Sequence, residues 1–262
     1  MDLGITGKRA LVLGSSRGLG HGIASAIAAE GAEVVIVGRD AEKLGRAAEV
    51  ITALGGGTAH PVAVDMSGPE ALDRLMDGVS AAVGSVDILV NNNGGPPPGP
   101  ITAVSPEDWR RQFEAMVLTL IELTGRVLPG MRERNWGRIL TIASTSVVQP
   151  IPNLGISNTL RASMVTWGKT LSLEVAPYGI TVNTILPGRI QTQRVDELDA
   201  AAARKQGRPV EDIARDANAA IPLGRYGRVD EFAAVAAFLV SERASYITGT
   251  MIRVDGGAIR SI

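Results

Sequence analysis

A chain of 262 residues, 45% hydrophobic and with a formal net charge of −1, can bury a substantial core within one large domain. The balanced charge supplies no basic surplus for nucleic acid, and no apolar run is long enough to span a bilayer. Without cysteine there is no disulfide or thiol chemistry. The two histidines, His21 and His60, belong to no His/Asp/Glu cluster, so no metal is expected, and both are expected as surface or helix residues. The first residues lack the charged, apolar and small-residue order of a secretion signal, and a cytoplasmic setting is expected.

Short β-branched apolar runs alternate with longer helical patterns. Strands are expected at 10–13, 33–37, 62–64, 87–90, 138–142, 181–186 and 251–254. Helical patterns lie between them near 19–30, 41–54, 69–83, 106–134, 159–175 and 229–239. This alternation implies right-handed βαβ crossovers and a parallel sheet covered on both faces: an α/β, Rossmann-type doubly wound fold. No linker or low-complexity stretch divides residues 1–262, so a single domain is expected. Residues 189–228, Ala- and Arg-rich with little β pattern, are expected to form a mostly helical substrate lid.

The first strand runs into G-S-S-R-G-L-G, with Gly14, Gly18 and Gly20 around Ser16, Arg17 and Leu19. Glycine serves where the backbone turns sharply and where no Cβ fits between amides and a phosphate. The following helix N-terminus offers free N–H donors to a pyrophosphate. The second strand ends V-V-I-V-G-R-D, with Gly38 where an acid would accept from a free ribose 2′-OH. Arg39 follows, and its guanidinium suits a 2′-phosphate, with Arg17 in reach of the same group, so NADP(H) is favoured over NAD(H). The plainer alternative is that Arg39 and Asp40 only cap and solvate the next helix. Asp65, beside Met66, either accepts from the adenine amino group or caps the helix expected from Pro69. The proline-rich turn 94–100 either walls the pocket or is a stiff connection. Arg189 either binds an anionic substrate group or forms a surface ion pair.

Together G-S-S-R-G-L-G, V-D at 64–65, L-V-N-N-N-G at 89–94, P-G-R-I-Q-T at 187–192, R-Y-G-R-V-D-E-F at 225–232 and V-D-G-G at 254–257 resemble the short-chain dehydrogenases/reductases, and are similar to the branch containing 3-oxoacyl-(acyl-carrier-protein) reductases. The resemblance implies strand order 3-2-1-4-5-6-7, a nicotinamide cofactor, a small-molecule substrate and self-association as a homotetramer or dimer. It assigns cofactor contacts to Gly14, Ser16, Arg17, Gly18, Leu19, Gly20, Arg39, Asp65, Met66, Asn91, Gly94, Arg161, Pro187, Gly188, Ile190 and Thr192. Two departures lie nearby: Leu13 stands where the family has Thr, and Asn93 where it has Ala.

The catalytic set departs further. Family members use Asn, Ser, Tyr and Lys; Ser144 matches the Ser, but Ser157 stands at the Tyr position, Arg161 at the Lys and Met116 at the Asn. A serine hydroxyl is a far weaker acid than a phenol of pKa ~10, and it reaches less far from its Cα. Arginine keeps a positive charge near the ribose but shuttles no proton at neutral pH. Met116 is expected simply to fill space left by the absent Asn. Two functions therefore stand side by side. One is an NAD(P)-dependent oxidoreductase acting on CH–OH or carbonyl groups, possible substrates including 3-oxoacyl compounds. There Ser144 orients the substrate, water or Ser157 supplies the proton and Arg161 holds the ribose. The other is a catalytically impaired NADP-binding homologue acting as a sensor or oligomeric partner.

Overall fold

The computed structural model describes residues 1–68 and 70–261. Among them, seven parallel strands form one sheet: β1 (Arg9–Val12), β2 (Glu33–Gly38), β3 (Ala59–Ala63), β4 (Ile88–Asn91), β5 (Gly137–Ile142), β6 (Ile180–Pro187) and β7 (Met251–Val254), in the order β3-β2-β1-β4-β5-β6-β7. Register is continuous across the middle, with Leu11 beside Val35 on one side and Leu89 on the other. Alternate side chains of each central strand enter opposite cores. Ala10, Val12, Val34, Ile36, Ile88 and Val90 pack with α1 (Gly18–Ala29), α2 (Ala41–Thr52) and α9 (Val229–Leu239), around Ile23, Ile27, Leu44 and Phe232. Leu11, Val35, Val37 and Leu89 face α3 (Ala71–Val83), α5 (Thr119–Glu133) and α6 (Gly155–Val175), around Leu75, Leu123, Leu160 and Val175. A sheet covered on both faces accounts for strands that read as unbroken apolar runs.

Most strand limits fall within a residue or two of expectation, and the exceptions have local causes. The third strand is Ala59–Ala63 rather than 62–64, because it is the sheet edge. An edge strand needs no apolar run and tolerates Pro61, whose missing N–H faces no partner. His60 therefore belongs to this strand, not to a helix or open surface, and its Nε2 lies 2.8 Å from Glu33 Oε2. His21 lies on α1, where burial lowers its pKa. The expected helix start at Pro69 lies outside the described residues; α3 is described from Ala71. The long 106–134 pattern is interrupted: α4 (Pro106–Phe113) passes through a π-helical stretch, Glu114–Leu118, into α5. The helix expected from residue 159 starts a turn earlier, at Gly155, where a Cβ would stand 2.6 Å from Ile101 Cβ. Between β6 and α9 lie α7 (Gln193–Gln206) and α8 (Val210–Ala219). Among the described residues no helix is long and apolar enough to cross a membrane, and no group of three metal-ligating side chains occurs.

At the amino edge of the sheet Asp87, 4% exposed, immediately precedes β4. Arg9 donates to both of its oxygens, at 2.7 and 2.8 Å, and Arg134 pairs with it at 2.9 Å in poorer hydrogen-bond geometry. Burial raises the Asp87 pKa, but the Arg9 hydrogen bonds and the two cationic charges outweigh it and hold the carboxyl below its ordinary value. A depressed carboxylate stabilises the fold above the unfolded pKa of ~3.9 and loses that stabilisation as pH falls through the folded value. Asp87→Asn is expected to cost about 3 kcal/mol in urea unfolding at pH 7, with the gap to wild type closing below about pH 4. Equal stability of the two proteins at pH 7 would show that the pair contributes nothing.

Candidate active site

The carboxyl edge of the sheet carries the site, beginning with the loop from β1 to α1. Leu13 N donates to Val90 O at 3.1 Å and Ser15 N to Val37 O at 3.0 Å, so the loop is stitched to both neighbouring strands. Ser15, fully buried, donates its hydroxyl to Val12 O and accepts from Val37 N. Gly14 adopts a left-handed φ of 57°. A Cβ on Gly20 would stand 2.4 Å from Gly14 O and 2.7 Å from Asn92 Nδ2, so no larger residue fits there. Asn92 Nδ2 donates to Leu13 O and Gly14 O, tying the loop to the end of β4. The first turn of α1, from Gly18 through Leu19, carries no side-chain cap, so its amides remain available to an anion. Ser16 and Arg17 lie in this loop, Ser16 half-buried near Gly38 and Arg17 exposed. The Arg17 guanidinium donates to Gln193 on α7 and sits 4.0 Å from Glu197.

One strand over, Asp40 caps α2 by accepting from Lys43 N at 3.1 Å. Arg39 takes no part in the cap and stands exposed at the end of β2. Asp65 is exposed at the end of β3 and accepts from Ser67 N and Ser67 Oγ, bonds that lower its pKa together with the nearby Arg39 charge. It forms this local turn rather than the cap of α3, which begins after Glu70. Met66 is half-buried against the core.

At the opposite end of the crevice, Gly94 is exposed with nothing within 4 Å of a would-be Cβ. The proline-rich turn is pinned by Gly99 N, which donates to Asn153 O at 2.7 Å just ahead of α6. Pro187 closes β6, and Gly188 passes so near Asp255 that a Cβ would stand 2.6 Å from its Cα. Ile190 is buried, and Thr192 begins α7 with its Cγ2 3.8 Å from a would-be Cβ on Gly18. This brings the 187–192 segment against the glycine loop.

The asparagine run divides its labour in a way that corrects the expectation for Asn91. That residue is fully buried, its Nδ2 3.4 Å from Thr124 Oγ1 on α5, so its side chain supports the sheet edge instead of facing the crevice. Asn93, a departure from the family pattern, donates Nδ2 to Ala115 O and Met116 O at 3.3 and 3.2 Å. These carbonyls belong to the π-helical stretch, where the i→i−4 ladder is broken and acceptors are freed. Met116 itself is buried in the core. Sequence reasoning missed Ser15, Asn92 and Asn93 as site-builders; the repeated Asn at the end of an apolar strand signalled the two asparagines, and no local pattern signalled Ser15.

Ser144 follows β5, half-buried, its Oγ accepting from Ser146 N at 3.1 Å. Ser157 is 8% exposed on the first turn of α6, and Arg161 lies one turn further along the same face. Arg161 donates to Ile142 O at 3.0 Å, which carries its guanidinium across the end of β5. Burial pushes its pKa down to about 10. Arg189 proves to be an ion pair: it donates to Asp199 Oδ1 at 2.6 Å, and Tyr226 donates to Asp199 Oδ2 at 2.7 Å. The Asp199 side chain is only 6% exposed, so the pair is part-buried and joins α7 to the loop after β6 and the loop before α9. Burial opposes the Arg189 charge, and its bond to Asp199 overrides that cost and raises the pKa; burial and Asp199 raise that of Tyr226.

Comparison with known proteins fits this geometry. The family described as Enoyl-(Acyl carrier protein) reductase matches residues 14–258. A 3-oxoacyl-[acyl-carrier-protein] reductase of Aquifex aeolicus is 35% identical over 98% of this chain and 99% of its own. An NADPH-dependent reductase of Bacillus subtilis is 31% identical over 97% and 99%. The solved structure of L-sorbose reductase from Gluconobacter frateurii, complexed with NADPH and L-sorbose, superposes with a TM-score of 0.94 at 35% identity, covering 100% of both chains. The chain belongs to the short-chain dehydrogenase/reductase family of oxidoreductases.

Replacing Asp199 by Ala leaves Arg189 and Tyr226 without their shared acceptor. Amides of α7 are then expected to exchange hydrogen about tenfold faster or more, the loss of charge-assisted bonds being worth ~1.5–3 kcal/mol. Unchanged exchange over 193–206 would show that α7 is held by other contacts.

Proposed function

We propose that this chain is an NADP(H)-dependent oxidoreductase acting on a small carbonyl or alcohol substrate by an altered proton relay. One observation carries the reading: β2 ends on Gly38, where an acid would select NAD, and an exposed Arg39 follows it, beside a Cβ-excluding glycine cradle at an uncapped helix start. The cradle of Gly14, Ser16, Gly18, Leu19 and Gly20 suits the pyrophosphate, and Arg39 with Arg17 suits a 2′-phosphate. Asp65 and Met66 would hold the adenine, Gly94, Pro187, Gly188, Ile190 and Thr192 the nicotinamide, and Arg161 the ribose. When bound, the cofactor supplies or accepts the hydride.

The protein's own part is positioning and protonation. Ser144 orients the substrate oxygen by hydrogen bonding. Ser157, too short and too weak an acid to protonate it directly, holds a water that does. Helices α7 and α8 form a substrate lid over the cleft of a single domain spanning 1–262; the Arg17–Gln193 and Arg189–Asp199 contacts support that reading because they join α7 to the cofactor loop and to the end of β6. A homotetramer or dimer is supported by apolar surface on the long helices, Leu118 at 41% and Leu173 at 68% exposure. A cytoplasmic setting accords with a reaction that draws on the cellular NADP(H) pool.

Titration of the protein's effect on NADPH fluorescence tests the cofactor half. Arg39→Ala is expected to weaken NADPH binding about tenfold and leave NADH binding unchanged, as loss of a charge-assisted contact to phosphate predicts. Equal loss for both cofactors would assign Arg39 to structure. Turnover with a panel of ketones and alcohols tests the chemical half. Tight NADPH binding with no oxidation across the panel, unimproved in Ser157→Tyr combined with Arg161→Lys, would leave the sensor reading in its place. Restoring the acid pair in an active scaffold is expected to raise turnover about 10²–10⁴-fold.

A further inference from the structure

Arg161 holds a positive charge without a counter-charge. Its guanidinium borders a cavity of about 10 Å³, walled by Asn93, Met116, Thr141, Ile142, Leu160 and Met164 among others, with no Asp or Glu in the lining. One nitrogen, Nη1, donates to Ile142 O at 3.0 Å. The other terminal nitrogen faces the β4 loop, 3.8 Å from a would-be Cβ on Gly95, where the cleft opens. Desolvation is what acts on its charge; no neighbouring carboxylate does. The other enclosed arginines are matched: Arg9 with Asp87, Arg189 with Asp199, and Arg138 with Glu242 and three carbonyls. Arg161 is part-buried and no carboxylate offsets its charge, so the group is placed to meet an anion that enters the cleft. Ribose hydroxyls supply hydrogen bonds but no charge, and an oxidised nicotinamide ring adds a second positive one.

We propose that Arg161 is the receptor for a substrate carboxylate, and that the chain acts on 2-oxo or 3-oxo acids and the corresponding hydroxy acids. This rests on the oxidoreductase reading above. A planar guanidinium with one edge free pairs with a flat carboxylate through two parallel hydrogen bonds. In the reduction the carbonyl carbon gains a hydride from NADPH as its π bond opens. The oxygen gains a proton from water held at Ser144 and Ser157, the hydroxide left behind takes a proton from bulk solvent, and hydroxy acid and NADP⁺ leave. The carboxylate stays ionised throughout, paired with Arg161.

Calorimetric titration of the NADPH-loaded protein tests this, with oxamate and malonamate as non-reducible probes and with oxamide, malonamide and inorganic phosphate as comparisons. Oxamate or malonamate is expected to bind at least about tenfold more tightly than its neutral diamide and than inorganic phosphate, which lacks the carbonyl that Ser144 orients. Arg161→Met is expected to erase that difference, with carboxylate affinity falling at least about tenfold further than NADPH affinity, and Arg161→Lys to restore part of it. The assignment is overturned if the neutral diamides or phosphate bind as well as the carboxylates in the wild-type protein. It is also overturned if Arg161→Met lowers NADPH affinity and spares carboxylate binding, which would return Arg161 to the ribose alone. Carboxylate binding that depends on Arg161, in a protein that oxidises no NADPH with any oxo acid, upholds the anion site and removes the oxidoreductase reading.

Discussion

A backbone contact too close for any side chain governs the carboxyl edge of this sheet. Gly20 meets Gly14 O at a separation that a Cβ would close to 2.4 Å, and Asn92 clamps the loop carbonyls from the end of β4. That contact brings the first turn of α1 down over β1 and leaves its amides uncapped. The neighbouring pieces take their places from it: Ser15 ties the loop to β2, Thr192 rests against Gly18, and Arg17 reaches α7. The glycines thus orient one end of a dinucleotide site and, through Arg17, stay in contact with α7.

The reacting end is governed by a different constraint, the handling of charge and protons where the family's phenol and ammonium are missing. Serine at 157 keeps a hydroxyl but gives up acidity and reach. Arginine at 161 keeps the charge, spreads it over a planar group and carries it across the end of β5 to Ile142 O. Asn93 fills part of the vacated polar role by binding the carbonyls of the π-helical stretch, beside the Met116 that stands at the family's Asn position. On the proposed assignment the site exchanges a proton-transfer pair for a fixed cation and a set of neutral donors, which orient a carbonyl more readily than they move a proton.

Much of this was legible in the sequence. The alternation of short apolar runs and helical patterns defined the doubly wound sheet, because strands buried on both faces have no polar side to blur the signal. The β1 loop and the end of β2 were legible because glycine and arginine there have few other uses. The edge strand β3 was displaced because edge residues such as His60 and Pro61 carry no apolar pattern. The π-helical stretch was invisible because it follows from a shift in hydrogen bonding that leaves the apolar spacing nearly unchanged. Asn91, Asn92 and Asn93 are one residue type repeated, and only the alternating direction of an extended chain decides which enters the core and which faces the crevice. Arg189 was read with its alternatives open because its partner, Asp199, stands ten residues away on a helix whose orientation no local pattern sets.

The central claim is that NADP(H) occupies this carboxyl edge with its 2′-phosphate beside Arg39. A crystal structure of the protein grown with NADP⁺ tests it most directly. The account predicts density for the pyrophosphate at the first turn of α1, for the 2′-phosphate within hydrogen-bond distance of Arg39 or Arg17, and for the nicotinamide between Gly94 and Thr192. Density for the dinucleotide elsewhere, or an empty glycine cradle at saturating NADP⁺, would contradict it.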